Sequence, residues 1–384
     1  MVLLVVAACV SLARLAACTL FEDQQGSNNW LLQHVGIVRE AALLQAPAAA
    51  VVNTREDVLA SIRLLDGSVA WRRHTAVELA ASSPDQAVHV VSNGRTLSAW
   101  DTTAGQLLWQ RESGADALCA GSEHAYAVRG GAVSAWALSQ GEPRWTSPPL
   151  AAKADRHACA ASGSSVRVAS WSSGGSTVHV TTLSGRDGQS EPTQAVTSAH
   201  ALERVYLADG LLFAVTAGGR HACSATLGAQ PVDLQCVELP AARGAVAVSL
   251  AGGGAAVFDH GAQALTTLAL SAGAAPRVTA AAVSASAASS VFAHGGKALV
   301  ATVAVPVAGA AHGLGLAVYD VAAGTSAYSS KVQQPFAVDN QGAVSPVAAL
   351  WAASVAGSSG SPLFRCVPRF CARNVVAWVY KACI

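Results

Sequence analysis

The hydrophobic pattern of this chain is a short alternation that ends at a polar turn and then resumes. The clearest copy is Leu97–Trp109 (LSAWDTTAGQLLW), where an alternating run reaches Trp100, a polar turn carries Gly105, and a second apolar run ends at Trp109. Alternation bounded by a glycine-containing turn is typical of two antiparallel strands joined by a hairpin. We therefore predict a β-hairpin over this segment.

The same pattern occurs three more times, at Leu59–Trp71, Val133–Trp145 and Leu316–Tyr328. In each copy a turn glycine precedes a Trp or Tyr by four residues, giving the pairs Gly67/Trp71, Gly105/Trp109, Gly141/Trp145 and Gly324/Tyr328. The first three glycines are 38 and 36 residues apart. Because one such unit cannot bury its own apolar face, a strand-bearing repeat of this length predicts a propeller or another all-β array.

The glycine-to-aromatic spacing resembles the tryptophan-docking repeats of quinoprotein-type propellers. It is unlike the WD type, since no Trp-Asp pair closes each unit and Trp100-Asp101 precedes its turn. Glycine permits a positive φ at the turn, and the aromatic ring offers a flat surface to the neighbouring blade. We interpret the four pairs as structural positions that hold blades together.

The fold class predicted on this basis is all-β, a quinoprotein-like β-propeller of about 7–8 four-stranded blades. We place it at residues 19–355 and leave open whether its ring is complete. The repeats fade after Ala151. Thr181–Gly188 keeps an Asp-Gly turn, but Pro192 stands where the aromatic is expected, and Ala241–Ala282 is almost free of aromatic residues.

Composition excludes some classes of function. Charged residues make up 12% of the chain and the net charge is +1, so there is no basic field to attract nucleic acid. The stretch Ala298–Tyr319 is uncharged and long enough to cross a membrane, but Pro306, His312 and three glycines interrupt it. Two short strands around a turn are the preferred interpretation, and we identify no transmembrane helix.

Residues 1–18 have the pattern of a secretory signal peptide, with Ala16 and Cys18 at the −3 and −1 positions of a cut before Thr19. An uncleaved anchor is the alternative. Seven cysteines follow, so at least one lacks a partner within the chain in an oxidising compartment. Cys223 and Cys236 bracket a segment that could form a hairpin with opposed thiols, and we predict a disulfide between them.

The segment before the repeats carries a more specific signal. It contains Glu22, Asp23, Gln24, Gly26, Trp30 and Gly36. This pattern resembles the start of the mature first subunit of the ER membrane protein complex. Thr54–Arg72 and Val91–Trp109 are similar to that family's first two docking repeats, and the good match covers about residues 19–150.

The resemblance implies a non-enzymatic scaffold on the lumenal face of the endoplasmic reticulum complex, supporting insertion of tail-anchored and multi-pass proteins. Its partners would be the other subunits and client membrane proteins. The resembled subunit is much longer and ends in a transmembrane helix. Residues 356–384 form a basic, cysteine-bearing tail that we expect to lie outside the fold.

No catalytic motif of the usual kinds occurs: neither a G-x-S-x-G elbow, nor a phosphate-binding loop, nor H-E-x-x-H. His157/Cys159 and His221/Cys223 are weak metal pairs, and we assign no catalytic, cofactor or metal site. Two alternatives stay open. One is a secreted quinoprotein-like dehydrogenase, and the other is a stand-alone lumenal binding propeller.

Overall fold

A computed structural model gives the architecture of the chain. The residues it describes are 31–32, 38–44, 49–54, 57–63, 68–150, 154–208, 210–228, 232–239, 244–249, 254–259, 264–270, 275–281, 290–294, 297–304, 313–320, 325–333, 348–354, 362–365 and 375–381. Within these ranges the regular structure is β-strand apart from a 3₁₀ turn at Ala217–Gly219. None of them forms a helix with the length and hydropathy needed to span a bilayer.

The chain divides into two compact units. The first comprises Met1–Ala76, Thr103–Gly105 and Val347–Ile384, and the second comprises Val77–Thr102 and Gln106–Pro346.

In the first unit, the residues that the structure describes form two four-stranded sheets. The first blade is antiparallel and has the strands Val38–Leu44, Ala49–Thr54, Val58–Arg63 and Val69–His74. A mixed sheet has, in spatial order, the strands Leu31–Leu32, Val375–Lys381, Ala348–Ser354 and Pro362–Arg365. Two of its strands come from the predicted tail, residues 356–384, and the boundary placed at residue 355 stays a prediction.

The described residues of the second unit form six sheets. The second blade has the strands Leu79–Ser82, Val88–Ser92, Leu97–Asp101 and Leu107–Arg111. The third has the strands Ala117–Ala120, His124–Arg129, Ala132–Ala137 and Pro143–Thr146. The fourth has the strands Arg156–Ser162, Ser165–Trp171, Thr177–Ser184 and Gln194–Thr197, with Val232–Asp233 added at its outer edge.

Three further blades follow along the chain. The fifth has the strands Leu202–Ala208, Leu211–Thr216, His221–Thr226 and Gln235–Glu238. The sixth has the strands Gly244–Ser249, Gly254–Asp259, Ala264–Ala269 and Arg277–Ala281. The seventh has the strands Ser290–His294, Lys297–Ala304, Gly313–Asp320 and Thr325–Gln333.

The antiparallel meander of each blade is typical of a β-propeller, as are the contacts between the first strands of the second to fifth blades and between those of the sixth and seventh. The prediction of an all-β propeller with four-stranded blades is confirmed. Strands Lys297–Ala304 and Gly313–Asp320 pair antiparallel, as expected for the uncharged stretch that they occupy.

The strands of all four predicted hairpins pair with each other, and each pair contains a bulge at the same place. The register shifts directly after the residue that pairs with the aromatic position: Ser61 with Trp71, Ala99 with Trp109, Ala135 with Trp145, and Val318 with Tyr328. A bulge bends its strand and increases the local twist. The repeat is therefore one of backbone geometry as well as of residue type.

Small apolar side chains fill the core between blades. Between the third and fourth blades the fully buried residues include Val128, Val133, Val166, Val168 and Leu183. Alternation along each strand directs these side chains toward the next blade, where Ala and Val permit close approach of the two sheets. The Ala- and Val-rich composition is thus explained by sheet packing.

Candidate binding surfaces

The contact between the second and third blades is made by a tryptophan and a glycine. Trp109, which is 4% exposed, lies with its ring against Gly141 in the next hairpin, and its Nε1 donates a hydrogen bond to the Leu138 carbonyl at 2.7 Å. Gly141 has φ +63°, and a Cβ at this position would overlap the indole ring. Glycine is therefore required at position 141 both for the backbone turn and for the close contact with the Trp109 ring.

The third and fourth blades repeat the arrangement. Trp145 lies against Gly188, which has φ +72°, and donates from Nε1 to the Gly185 carbonyl at 3.0 Å. Each indole thus meets the glycine of the following hairpin rather than the glycine four residues before it. The glycine and the aromatic residue four positions after it therefore belong to two different contacts of one blade. The glycine contacts the indole of the preceding blade, and the aromatic residue contacts the glycine of the next.

In the first unit, Trp71 lies against Gly105 in the same way. The arginines two residues after Trp71 and Trp109 add hydrogen bonds to the same turn glycines. Arg73 Nε donates to the Gly105 carbonyl at 2.8 Å, and Arg111 Nε donates to the Gly141 carbonyl at 2.8 Å. The sequence analysis missed these arginines. The signal is a Trp-x-Arg pattern, which puts the arginine on the same face of the strand as the indole.

Several predicted positions lie outside the described residues. They are Gly67, Gly324 and the whole N-terminal motif of Glu22, Asp23, Gln24, Gly26, Trp30 and Gly36. Residues 1–18 are also outside. Tyr328 lies in a described strand, where its backbone pairs with Val318.

Two disulfides occur among the described residues. Cys223 and Cys236 face each other in register in the fifth blade with a Cα–Cα distance of 4.0 Å, and they are bonded. The second, Cys119–Cys159, joins the first strands of the third and fourth blades at a Cα–Cα distance of 5.8 Å. Sequence spacing does not show this second pair, because it depends on how two separate blades align.

One cavity of about 570 Å³ lies where the first strands of the second to fifth blades begin. Four acidic residues line it, namely Glu78, Asp116, Asp155 and Glu203. Three of them also close a hairpin of their own blade: Asp116 accepts from the Gly130 amide at 2.8 Å, Asp155 from the Ser173 amide at 2.7 Å, and Glu203 from the Gly218 amide at 3.3 Å. These carboxylates therefore have a structural use.

On the third and fourth blades, the loops after the first and third strands line a second cleft of about 600 Å³. Its side chains include Glu123, His124, Tyr126, Arg144 and Arg186. Burial lowers the pKa of His124, an effect that Glu123 opposes and Arg144 reinforces. Burial also raises the pKa of Tyr126. At neutral pH both groups are therefore uncharged hydrogen-bonding groups.

The histidines that could carry chemistry are held in pairs within blades. His89 is buried, bonds through Nδ1 to Ser82 Oγ at 2.9 Å, and has its pKa lowered by burial to about 4. His157 Nδ1 bonds to Ser170 Oγ at 3.0 Å. In each pair the two residues face each other across neighbouring strands. These bonds satisfy buried polar groups, as protein cores require.

No group of three or more His, Cys, Asp or Glu side chains in the described part of the chain is placed to hold a metal ion. The two weak metal pairs of the sequence analysis lose their thiols to disulfides, since Cys159 bonds to Cys119 and Cys223 bonds to Cys236. The candidate binding surfaces are therefore the two polar clefts described above.

Comparison with known proteins identifies the family. A family model described as the EMC1 N-terminal beta-propeller domain matches residues 19–366. The chain belongs to this family. The match extends beyond the boundary at residue 355 that we predicted for the propeller.

Curated relatives carry a consistent name. The ER membrane protein complex subunit 1 of Gallus gallus is 26% identical over 145 residues, covering 34% of this chain and 15% of that protein. The subunit 1 of Xenopus laevis is 28% identical over 142 residues, covering 33% and 14%. The matched segment thus spans about one seventh of the length of these relatives.

Solved structures share the fold at low sequence identity. The WD40 domain of SCAP from fission yeast has a TM-score of 0.56 and 11% identity, covering 80% of this chain and 90% of that one. Hsv2 of Kluyveromyces lactis has a TM-score of 0.52 and 11% identity, covering 77% and 98%. These likenesses bear on the fold alone.

Proposed function

We propose that this chain is a non-enzymatic scaffold on the lumenal side of the ER membrane protein complex, where it supports insertion of tail-anchored and multi-pass proteins. The observation that carries the proposal is the family match across residues 19–366. The names of the chicken and frog relatives, which describe subunits of that complex, agree with it.

The disulfides support the lumenal assignment. Cys119–Cys159 and Cys223–Cys236 are pairs that persist in oxidising compartments and are rare in the reducing cytosol. The signal-peptide pattern of residues 1–18 predicts delivery to the same compartment.

The docked blades support the scaffold role. Indole rings that meet turn glycines, with hydrogen bonds from Trp109 and Arg111 on the same turn, fix the blades against each other. A rigid assembly of this kind presents loops that are already ordered, so less conformational entropy is lost when partners bind. Polar clefts at the loops, such as the one containing Arg144 and Arg186, are suited to protein partners.

Co-purification tests the proposal. The 384-residue chain, tagged at its C-terminus, is expressed in cells, solubilised in mild detergent and captured through the tag. We expect the other subunits of the complex to be enriched with it. A matched chain without residues 1–18 should not reach the lumen and should not capture them. Absence of every other subunit from the complete chain's eluate would contradict the proposal.

A further inference from the structure

The acidic residues of the 570 Å³ cavity come from nearly the same place in consecutive blades. Glu78, Asp116 and Asp155 each stand directly before the first strand of their blade, and Glu203 is the second residue of its own. The last three each use one carboxylate oxygen to accept from the turn between the second and third strands. Among the residues that the structure describes, Asp116 Oδ1 and Asp155 Oδ2 have no hydrogen-bond partner.

The lining of this cavity is negatively charged. Its four carboxylates outnumber its two guanidinium groups, those of Arg156 and Arg204, which leaves a formal charge of −2. Burial lowers the pKa of His157, so at neutral pH this imidazole adds no positive charge. Asp116 and Asp155 both oppose that effect electrostatically, which means that the two carboxylates lie near one ring. The cavity therefore favours a cation at this point.

A buried donor lies in the same lining. Trp171 ends the second strand of the fourth blade and is 5% exposed, and its Nε1 has no hydrogen-bond partner in the described part of the chain. Away from the cavity, the indole belongs to a cluster that includes Val178, Val180 and Leu202, whose side chains offer no acceptor. Buried N–H groups without a partner are rare because they cost free energy. The cavity is the side from which an acceptor can reach this donor.

We propose that the cavity binds an arginine of a partner polypeptide, with the guanidinium between Asp116 and Asp155 and a main-chain carbonyl accepting from Trp171 Nε1. A guanidinium presents several N–H donors in a fixed fork that suits carboxylates. It has no acceptor, so the acceptor for the indole comes from the backbone of the same segment. A metal ion fits less well, because no three acidic, His or Cys side chains of the described residues are placed to hold one.

The probe is the end-blocked peptide GSGRGSG, and its control carries citrulline, a neutral group of nearly the same shape, in place of the arginine. Binding to the complete chain is followed by saturation-transfer difference NMR, and titration gives the dissociation constants. We expect saturable binding of the arginine peptide and binding of the citrulline peptide that is weaker by roughly tenfold or more.

Single aspartate variants locate the site on the protein. Asp116→Asn and Asp155→Asn keep an oxygen for the turn amide and remove the charge, so each should weaken arginine-peptide binding roughly tenfold. The matched control is Asp187→Asn. Asp187 also accepts from a turn amide, that of Gln189 at 3.1 Å, but it does not line the cavity. The control makes the same change in net charge and should leave binding unchanged.

The indole N–H signal tests the second contact. In a chain isotope-labelled at tryptophan, the Trp171 signal is identified by its loss in Trp171→Phe, and we expect it to shift as the arginine peptide is added. The aspartate variants leave the core intact, so the test does not depend on the folding of Trp171→Phe.

Three results would overturn the proposal: no saturable binding up to about 5 mM arginine peptide, equal binding of the citrulline peptide, or equal losses for Asp155→Asn and Asp187→Asn. The experiment uses the isolated chain, so its failure would leave membership of the complex untouched.

Discussion

Replacing Gly141 by alanine should weaken the second unit more than the small size of the change suggests. The new methyl group would overlap the indole of Trp109, so the ring must move away from the turn. Moving it breaks the 2.7 Å bond from Trp109 Nε1 to the Leu138 carbonyl. It also disturbs the bond from Arg111 to the Gly141 carbonyl.

The expected cost can be assembled from separate contributions. A non-glycine residue at φ +63° costs about 1 kcal/mol in backbone strain. Losing a buried hydrogen bond costs about 1–1.5 kcal/mol. Partial exposure of Trp109, now 4% exposed, adds about 1 kcal/mol for every 40 Å² of apolar surface. The free energy of unfolding should therefore fall by about 3–4 kcal/mol.

Gly163 provides a matched control. Its φ is +56°, and a Cβ there would meet nothing within 4 Å, so Gly163→Ala should cost the strain of about 1 kcal/mol alone. Urea unfolding of both variants, followed by circular dichroism, compares the two costs directly. Equal losses for the two alanines would refute the claim that Gly141 is a docking position.

Two further predictions concern groups inside the second unit. Burial lowers the pKa of His89 to about 4, below the unfolded value near 6.5, so protonation of this histidine favours unfolding. The free energy of unfolding should therefore be highest above pH 6.5 and should fall by up to about 3 kcal/mol as the pH drops to 4. His89→Asn should flatten that slope in urea titrations at several pH values, and identical slopes would contradict it. Removing Cys119–Cys159 with alanines should cost about 4 kcal/mol, against about 3 for Cys223–Cys236, because the separations are 40 and 13 residues. Non-reducing unfolding curves measure both, and a larger loss for the shorter loop would argue against this ordering.

The hairpins could be predicted because their determinants are local. Alternation, a turn glycine and an aromatic four residues later lie within one short segment, and the strands Leu97–Asp101 and Leu107–Arg111 form where that pattern stands. The blades after Ala151 gave a weaker signal. Gly244–Ser249 and its three partner strands still form a sheet without aromatic markers, since Ala and Val in alternation suffice for strand pairing.

The contacts between blades could not be predicted because they are remote in sequence. Gly188 stood out as a turn, but its aromatic partner is Trp145, well before it, rather than the residue at position 192. The added strand Val232–Asp233 is two residues long, too short for any periodicity. Cys119–Cys159 requires knowing which faces of two first strands meet.

One measurement tests most directly the central claim that the chain is a lumenal propeller in which the first strands of the third and fourth blades are adjacent. The chain is isolated from microsomes with its free thiols alkylated, digested without reduction and mapped by mass spectrometry. The account predicts a peptide pair linked through Cys119 and Cys159 and another linked through Cys223 and Cys236. Recovery of all four cysteines in alkylated form would contradict both the compartment and the alignment of the blades.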